Sequence, residues 1–145
     1  MIGLLQRVSQ ARVDAGGQTI GAIERGLLVL VGIQRADSEP NSVRLLDRLL
    51  GYRVFPDAAG RMNLSLASVG GGLLLVPQFT LAAETRKGSR ASFSSAADPE
   101  TGQRLFLHLL ELARSRHSPV ACGRFGADMQ VTLTNDGPVT FWLES

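Results

Sequence analysis

Short apolar runs separated by turn signals fill the first third of the chain, and this pattern predicts strands. Residues 3–8 and 11–15 are predicted as two strands, and Gly16-Gly17 marks a tight turn before a third strand over Gln18–Ile23. Residues 27–33 form a continuous apolar run rich in β-branched side chains. A run of this length, bounded by turns, is typical of a strand buried on both faces.

Helical periodicity occurs twice along the chain. In the first helix Ser38 is the predicted N-cap, and the apolar positions that follow are Val43, Leu46, Leu49 and Leu50. In the second helix Asp98 is the predicted N-cap and Pro99 takes the first helical position. Its apolar stripe consists of Leu105, Phe106, Leu109, Leu110, Leu112 and Ala113.

The remaining strands complete the predicted fold. Residues 52–55 and 73–76 are predicted as short strands. Residues 129–133 and 139–143 alternate in polarity and flank the turn-forming residues 134–138, which predicts a terminal hairpin. The sum is an α+β fold, a curved mixed sheet with about two helices packed on it.

Composition excludes several classes of protein. The length of 145 residues fits a single domain spanning 1–145. The formal net charge is only +2, so contact with nucleic acid has to come from a local cluster of basic side chains. The longest apolar stretches are far too short to span a bilayer, and the first residues lack a signal-peptide pattern. A cytoplasmic protein without membrane association is therefore expected.

The usual catalytic and metal-binding signatures are missing, so no metal and no cofactor are expected. The chain has one cysteine, Cys122, and two histidines, which excludes a cysteine cage and a three-histidine site. His108 and Glu111 lie three apart on the second predicted helix and are interpreted as a solvated helix flank. His117 is interpreted as the end-cap of that helix. Arg124 lies near Cys122, but no base accompanies the thiol.

Two segments stand out from this background. At the end of the strand over 73–76, Pro77 has no N–H and is expected to end the ladder, which leaves the N–H groups of Gln78, Phe79 and Thr80 free for an anion or oxyanion. Composition alone favours a strand that simply ends in a turn. The second segment is residues 135–140, where composition alone favours an ordinary hairpin turn and a cis Gly-Pro bond is an alternative.

The whole chain, from residue 1 to 145, closely resembles the D-aminoacyl-tRNA deacylases of the D-tyrosyl-tRNA deacylase type. The order and spacing of several short segments together carry the resemblance. These segments are residues 6–8, 26–30, 62–66, 78–81, 85–88, 123–131 and 135–140.

The resemblance implies a homodimer of compact, barrel-like α+β subunits with active sites at the subunit interface. Family members hydrolyse the ester that links a D-amino acid to the terminal adenosine of tRNA, and this activity serves the quality control of translation. Glycine has no side chain on either face of its α-carbon, so glycyl-tRNA is expected as a second substrate. The implied partners are tRNA and a second copy of the chain.

The resemblance also implies site residues. One family motif maps onto Pro77, Gln78, Phe79 and Thr80, and the other onto Asn135, Gly137, Pro138 and Thr140. In the family the Gly-Pro bond is cis and the partner subunit inserts this loop into the pocket, where it excludes L-amino acids. Arg7 matches an arginine that helps to hold the loop. Many members have Ser where this chain has Pro77, so a scheme that needs a hydroxyl at that position does not transfer.

Two mechanisms are compatible with these residues. An aminoacyl ester is already activated, so backbone N–H groups at Phe79 and Thr80 and a water assisted by the tRNA 2′-hydroxyl are favoured. The alternative is an acyl-enzyme on Thr80, whose hydroxyl has no evident base. Arg86, Lys87 and Arg90 cluster in the long polar segment 84–100 and are candidates for phosphate binding. The rival functions are a nucleic-acid-binding module without catalysis and a purely structural dimer.

Overall fold

Strand β1 (Ile2–Ala15) organises the main sheet, because three other strands pair with it. On one edge β8 (Gln130–Glu144) runs antiparallel along its length. On the other edge β3 (Gly26–Gly32) pairs with its first half and β2 (Gln18–Ile23) with its second half. The structure, a computed structural model, describes all residues from 1 to 145.

Two parallel strands extend this sheet and bend it into a nearly closed barrel. β6 (Gly72–Pro77) runs parallel to β3, and β7 (Val120–Cys122) runs parallel to β6. The barrel nearly closes because β7 approaches β2: a Cβ on Gly21 would lie 2.7 Å from the Cys122 carbonyl oxygen. Glycine at position 21 therefore permits the close contact of the two strands.

A second small sheet and three α-helices complete the fold, which is the expected α+β class. The small sheet pairs β4 (Arg53–Pro56) with β5 (Met62–Ser65) in antiparallel fashion. The helices are α1 (Glu39–Gly51), α2 (Leu66–Val69) and α3 (Pro99–Arg116), and a 3-10 helix covers Phe79–Ala82. None of the helices combines the length and the apolar character that a membrane crossing requires.

Alternation along the strands produces two apolar cores. One face of the sheet packs on α1 and α3 and contributes Leu5, Val29 and Leu75 to a large core. The opposite face lies inside the barrel, where Val8, Leu28 and other side chains form a smaller core. The strands β3 and β6 thus bury both faces, as their continuous apolar runs predict.

The predicted helix starts are confirmed. The side chain of Asn41 accepts a hydrogen bond from the Ser38 N–H at 3.0 Å, so Ser38 is the N-cap of α1. Asp98 is the N-cap of α3 and accepts a hydrogen bond from the Thr101 N–H at 2.9 Å. Both caps satisfy backbone groups that the first turn of a helix leaves without partners.

The predicted terminal hairpin is wrong, because residues 130–133 and 139–143 belong to one strand, β8, which begins one residue after Met129. Gln6 pairs with Thr140 and Val8 pairs with Asn135, so residues 136–139 bulge out opposite a single residue of β1. Likewise residues 3–8 and 11–15 are one strand, β1. The long β1 offers partners to both halves of β8, and the turn-forming residues are absorbed as the bulge.

Candidate active site

A cavity of about 510 Å³ lies where the parallel strands β3 and β6 end. Ligand sites in sheets with parallel strands commonly form at this edge. The lining is mostly apolar and comes from the two strand ends, from the start of α3 and from the segment before β8. The residues that line it are Val31, Ile33, Val76, Pro77, Gln78, Phe79, Ala97, Pro99, Gly102, Phe125, Gly126, Ala127, Asp128, Met129 and Val131.

Two backbone donors are free at the rim of this cavity, fewer than the sequence predicts. Pro77 is the last residue of β6 and forms the last pair of the ladder with β3, as predicted, but the Gln78 N–H is not free, because it donates to the Val31 carbonyl at 2.8 Å. Phe79 and Thr80 are the first residues of the 3-10 helix, and neither N–H has an acceptor in the chain. The start of a helix leaves such groups free.

The side chains beside these donors include no base. The Gln78 side-chain amide donates a hydrogen bond to the Thr80 hydroxyl oxygen. No histidine, lysine or carboxylate bonds to either side chain. Gln78 and Phe79 line the cavity, whereas Thr80 does not. The arrangement supplies hydrogen-bond donors for a developing negative charge and no group that would deprotonate Thr80.

The second motif forms the β8 bulge, and the Asn135 side chain holds it closed. Its amide oxygen accepts from the Val139 N–H at 3.0 Å, and its amide nitrogen donates to the Val139 carbonyl at 3.1 Å and to the Thr140 hydroxyl at 3.4 Å. Gly137 and Pro138 at the tip are exposed, and the bond between them is cis. The Gly137 φ of +135° is a conformation that favours glycine.

Arg7 fixes the same bulge from β1. Its Nε donates to the Asp136 carbonyl at 3.1 Å and lies 3.1 Å from the Asp136 carboxylate. Its Nη1 donates to the Val54 carbonyl at 2.6 Å. Arg7 thus joins the bulge to β4, which is the placement that the family resemblance implies for this arginine.

The two motifs do not meet within one chain. Strands β1 and β3 lie between β8 and β6 in the sheet, and no residue of the bulge lines the cavity. The tip of the bulge, Gly137 and Pro138, is exposed to solvent. A site that uses both motifs therefore requires a second copy of the chain.

The basic cluster lies on the segment that joins the 3-10 helix to α3. Arg86, Lys87 and Arg90 are all exposed, and an antiparallel bridge between Glu84 and Ser92 brings the two ends of this stretch together. The Arg86 Nε lies 3.8 Å from the Glu84 carboxylate, whereas Lys87 and Arg90 have no acidic partner. Both structural elements that flank the segment border the cavity.

Sequence reasoning assigned no role to several residues that line the cavity. Phe125, Asp128 and Met129 belong to the segment 123–131, which carries part of the resemblance but no predicted site residue. Gly102 is buried in the first turns of α3, where a Cβ would lie 3.1 Å from the Phe125 ring. Glycine at this position therefore lets the Phe125 ring pack against α3 at the cavity.

The carboxyl group of Asp98 lies at the N-terminus of α3 and has a shifted pKa. The Thr101 N–H donates a hydrogen bond to the Asp98 carboxylate and holds the pKa of Asp98 below its usual value. This carboxylate stabilises the helix start that contributes Pro99 and Gly102 to the cavity.

The remaining candidates have structural positions. His117 is the C-cap of α3, and its ring nitrogen lies 2.7 Å from the Gly71 carbonyl. Cys122 contacts Arg114 at 3.8 Å and has no base beside it. His108 and Glu111 belong to no group of three or more potential metal ligands.

Comparison with known proteins gives one consistent family. A family model described as D-Tyr-tRNA(Tyr) deacylase matches residues 4–144. A protein of Alkalilimnicola ehrlichii named D-aminoacyl-tRNA deacylase is 66% identical over 145 residues, which cover 100% of this chain and 97% of that protein. A protein of the same name from Thioalkalivibrio sulfidiphilus is 66% identical over 144 residues, covering 99% of this chain and 97% of that protein.

Solved structures agree with the fold. The structure of a protein named c-Myc DNA Unwinding Element Binding Protein matches with a TM-score of 0.95 and 38% identity, and the match covers 100% of this chain and 99% of the other. The structure of a probable eukaryotic D-amino acid tRNA deacylase matches with a TM-score of 0.84, 18% identity and coverage of 99% and 98%. The family model and the curated relatives together show that this chain belongs to the D-Tyr-tRNA(Tyr) deacylase family, whose members are hydrolases acting on aminoacyl-tRNA.

Proposed function

We propose that this chain hydrolyses the ester of D-aminoacyl-tRNA in the cytoplasm, releases free tRNA and the D-amino acid, and spares L-aminoacyl-tRNA. The observation that carries this proposal is the pair of unpartnered N–H groups at Phe79 and Thr80, at the rim of an apolar cavity. Such donors stabilise the oxyanion that forms when water attacks an ester carbonyl.

The chemistry requires little else from the protein. Water adds to the carbonyl carbon, the bond to the ribose oxygen breaks, and that oxygen takes up a proton as the tRNA leaves. The neighbouring ribose 2′-hydroxyl assists the water. One oxyanion donor contributes about 10²- to 10³-fold in rate in enzymes where it has been removed.

The environment of Thr80 supports this scheme over an acyl-enzyme. The Thr80 hydroxyl oxygen accepts a hydrogen bond from the Gln78 amide, and no base is within reach to remove its proton. A hydroxyl without a base is a weak nucleophile. Gln78 then serves to position Thr80 and the start of the 3-10 helix.

A homodimer completes the site in this proposal. Leu4 pairs directly with Leu30 on one side and with Trp142 on the other, so the three side chains share one face of the sheet. Trp142 is 50% exposed there. Leu4 and Leu30 are half-buried beside it, and an apolar patch that reaches the surface in this way is typical of an interface. A second copy on this face brings its Gly137-Pro138 segment toward the cavity.

Chirality is then read by exclusion. The carbonyls of the second copy's Gly137-Pro138 segment accept hydrogen bonds from the substrate α-amino group, and the backbone occupies the space that an L side chain needs. Steric rejection discriminates more strongly than an added contact attracts. Glycine passes this filter because it has no side chain, so glycyl-tRNA is a second substrate.

Turnover of charged tRNA tests the proposal. Purified protein should deacylate D-tyrosyl-tRNA and glycyl-tRNA in the presence of EDTA, spare L-tyrosyl-tRNA, and sediment as a dimer. Equal rates on both enantiomers would contradict the chirality argument. Complete loss of activity in EDTA would contradict a site built from backbone donors and tRNA alone.

A second candidate is a nucleic-acid-binding module without catalysis. The solved structure that is 38% identical to this chain carries the name of a DNA-unwinding-element binding protein, and the exposed basic segment of this chain is compatible with such a role. Turnover separates the two candidates, because a pure binding module binds tRNA and leaves the ester intact.

A further inference from the structure

Two exposed aromatic side chains stand together just outside the cavity. Phe79 is 60% exposed and Phe93 is 45% exposed, and their ring centroids are 5.0 Å apart at an interplanar angle of 49°. Six large apolar side chains of the chain are exposed, and these two form the one aromatic pair among them. We name this pair the aromatic platform.

The platform connects the cavity lining to the segment that carries the basic cluster. Phe79 belongs to the cavity lining, whereas Phe93 does not and contacts the Phe79 ring. Phe93 lies in the same segment as Arg86, Lys87 and Arg90, three residues after Arg90. Phe79 itself carries one of the two free N–H groups, and Phe93 lies close in sequence to the basic cluster.

The backbone around Phe93 is held firmly. The Ser95 hydroxyl donates to the Ala82 carbonyl at 2.5 Å, and the Arg35 N–H donates to the Ser95 carbonyl at 2.9 Å. On the other side of Phe93, the antiparallel bridge between Glu84 and Ser92 closes the basic segment. These bonds hold the backbone on both sides of Phe93, whose side chain is 45% exposed.

From this placement we infer that the aromatic platform stacks the base of the penultimate nucleotide at the unpaired 3′ end of the substrate RNA. The inference rests on the proposed function, which places the ester at the Phe79 and Thr80 N–H groups, and it adds that the terminal nucleoside occupies the cavity beside them. The next nucleotide then lies outside, where Phe93 presents its face. Unpaired bases stack on exposed aromatic rings in proteins that bind single strands.

Kinetics with matched variants test the platform. Phe93→Ala should raise KM for D-tyrosyl-tRNA about 5- to 150-fold, the range that removal of a base-stacking aromatic gives. kcat should stay unchanged, and Phe93→Trp should restore KM. Leu107→Ala is the control, because Leu107 is also 45% exposed and lies on α3 outside the cavity lining. An unchanged KM in Phe93→Ala would overturn the inference.

Abasic substrates identify the base. With an abasic penultimate nucleotide, wild-type KM should rise by the same factor, and Phe93→Ala should add nothing further. An abasic terminal nucleotide should leave the full effect of Phe93→Ala in place. The inference is wrong if the effect of Phe93→Ala persists on the penultimate abasic substrate.

Binding of uncharged tRNA, followed by fluorescence anisotropy, separates this inference from the proposed function. An inactive wild-type protein would refute the proposed function. The platform would still be supported if Phe93→Ala bound tRNA more weakly than wild type and if this difference depended on the penultimate base. Equal binding by wild type and variant would refute the platform.

Discussion

The guanidinium of Arg7 binds both the main chain and the carboxylate of Asp136, each at 3.1 Å from its Nε. Arg7 lies on β1 and its side chain is only 12% exposed, whereas Asp136 lies in the β8 bulge and is 49% exposed. A largely buried cation on the rigid central strand thus fixes the base of an exposed projection. This contact determines where the tip of the bulge, Gly137 and Pro138, is presented.

Replacement of Arg7 should therefore impair catalysis through the bulge. Arg7→Met keeps the apolar stem but removes the bonds to Asp136 and Val54, so the bulge becomes mobile. A misplacement of about 1 Å can cost about 10²-fold in rate, and we expect a loss of this order in kcat/KM for D-tyrosyl-tRNA. The rate ratio of D- to L-substrate should fall as well.

Arg12→Met is the matched control for this prediction. Arg12 is on the same strand and pairs with Asp14, but its side chain is 58% exposed and far from the bulge in the β1–β8 register. Exposed pairs of this kind contribute little to stability. Unchanged selectivity in Arg7→Met would show that the bulge does not need this anchor.

Gly137→Ala should weaken discrimination between enantiomers. The φ of +135° is rarely adopted by residues with a side chain, and a Cβ would lie 2.6 Å from the Val139 side chain. Strain of about 1–3 kcal/mol is expected, and a backbone shift at the exposed tip relieves it. L-tyrosyl-tRNA should then be hydrolysed measurably, while the melting temperature changes little.

Gly51→Ala is the control variant, because it replaces a glycine with alanine at a position where no strain is expected. Gly51 ends α1, its φ is not positive, and a Cβ there would contact nothing within 4 Å. Both enantiomer rates should match those of the wild type in this variant. Full selectivity in Gly137→Ala would remove the Gly137 backbone from the chirality argument.

Thr80→Ala should retain measurable deacylation. The two N–H donors at positions 79 and 80 belong to the backbone and remain after the substitution. Removal of a true nucleophile costs about 10⁶-fold in kcat in a serine hydrolase. A loss of that size, or an acyl group trapped on Thr80 and detected by mass spectrometry, would support the acyl-enzyme instead.

Local signals in the sequence predict those elements that local contacts determine. The starts of α1 and α3 can be predicted from Ser38 and Asp98. In each case the capping side chain and its N–H partner lie within three residues of each other. The buried strands β3 and β6 are equally evident from their apolar runs. β5, α2 and β7 span only three or four residues each, which is too short for a periodic pattern.

Features that depend on pairing between distant residues cannot be predicted from such local signals. The turn-forming residues 134–138 predict a hairpin, and only the length of β1 makes them a bulge in one strand. The hydrogen bond from the Gln78 N–H to Val31 joins residues far apart in sequence, so the supposedly free donor is paired. The roles of three further residues also depend on contacts between segments that are distant in sequence. These residues are Phe125 and Met129 in the cavity wall and Phe93 in the aromatic platform.

Asp98 should make the stability of α3 depend on pH. Its pKa is lowered in the folded state by the hydrogen bond from the Thr101 N–H, so its contribution is present above the unfolded pKa of about 3.9. The contribution disappears as the pH falls through the lower folded pKa. Asp98→Ala should therefore lower the melting temperature at pH 7, and the difference from wild type should shrink in strong acid.

Two further variants make this test specific. Asp98→Asn keeps a hydrogen-bond acceptor at the N-cap and should lower the melting temperature less than Asp98→Ala. Glu111→Ala changes an exposed acid within the same helix and should leave the melting temperature equal or slightly higher, because alanine favours helices. A difference between Asp98→Ala and wild type that is constant from pH 7 to strong acid would contradict the role of the charged carboxylate.

Lys87 and Arg90 should dominate the salt dependence of tRNA binding. Both are exposed and lack an acidic partner, whereas Arg86 lies 3.8 Å from the Glu84 carboxylate and is partly neutralised. Each phosphate contact contributes about 0.7–0.9 to the slope of log K against log salt concentration. The double variant Lys87→Gln and Arg90→Gln should therefore lower this slope by about 1.5, measured by fluorescence anisotropy with uncharged tRNA.

Single substitutions locate the effect within the segment. Arg86→Gln should change the slope less than Lys87→Gln, because the Glu84 carboxylate already competes for the Arg86 guanidinium. Arg44→Gln on α1 removes an exposed arginine that does not line the cavity and should leave the slope unchanged. If the double variant keeps the wild-type slope, the phosphates contact another surface, and the basic segment is a solvated loop beside the site.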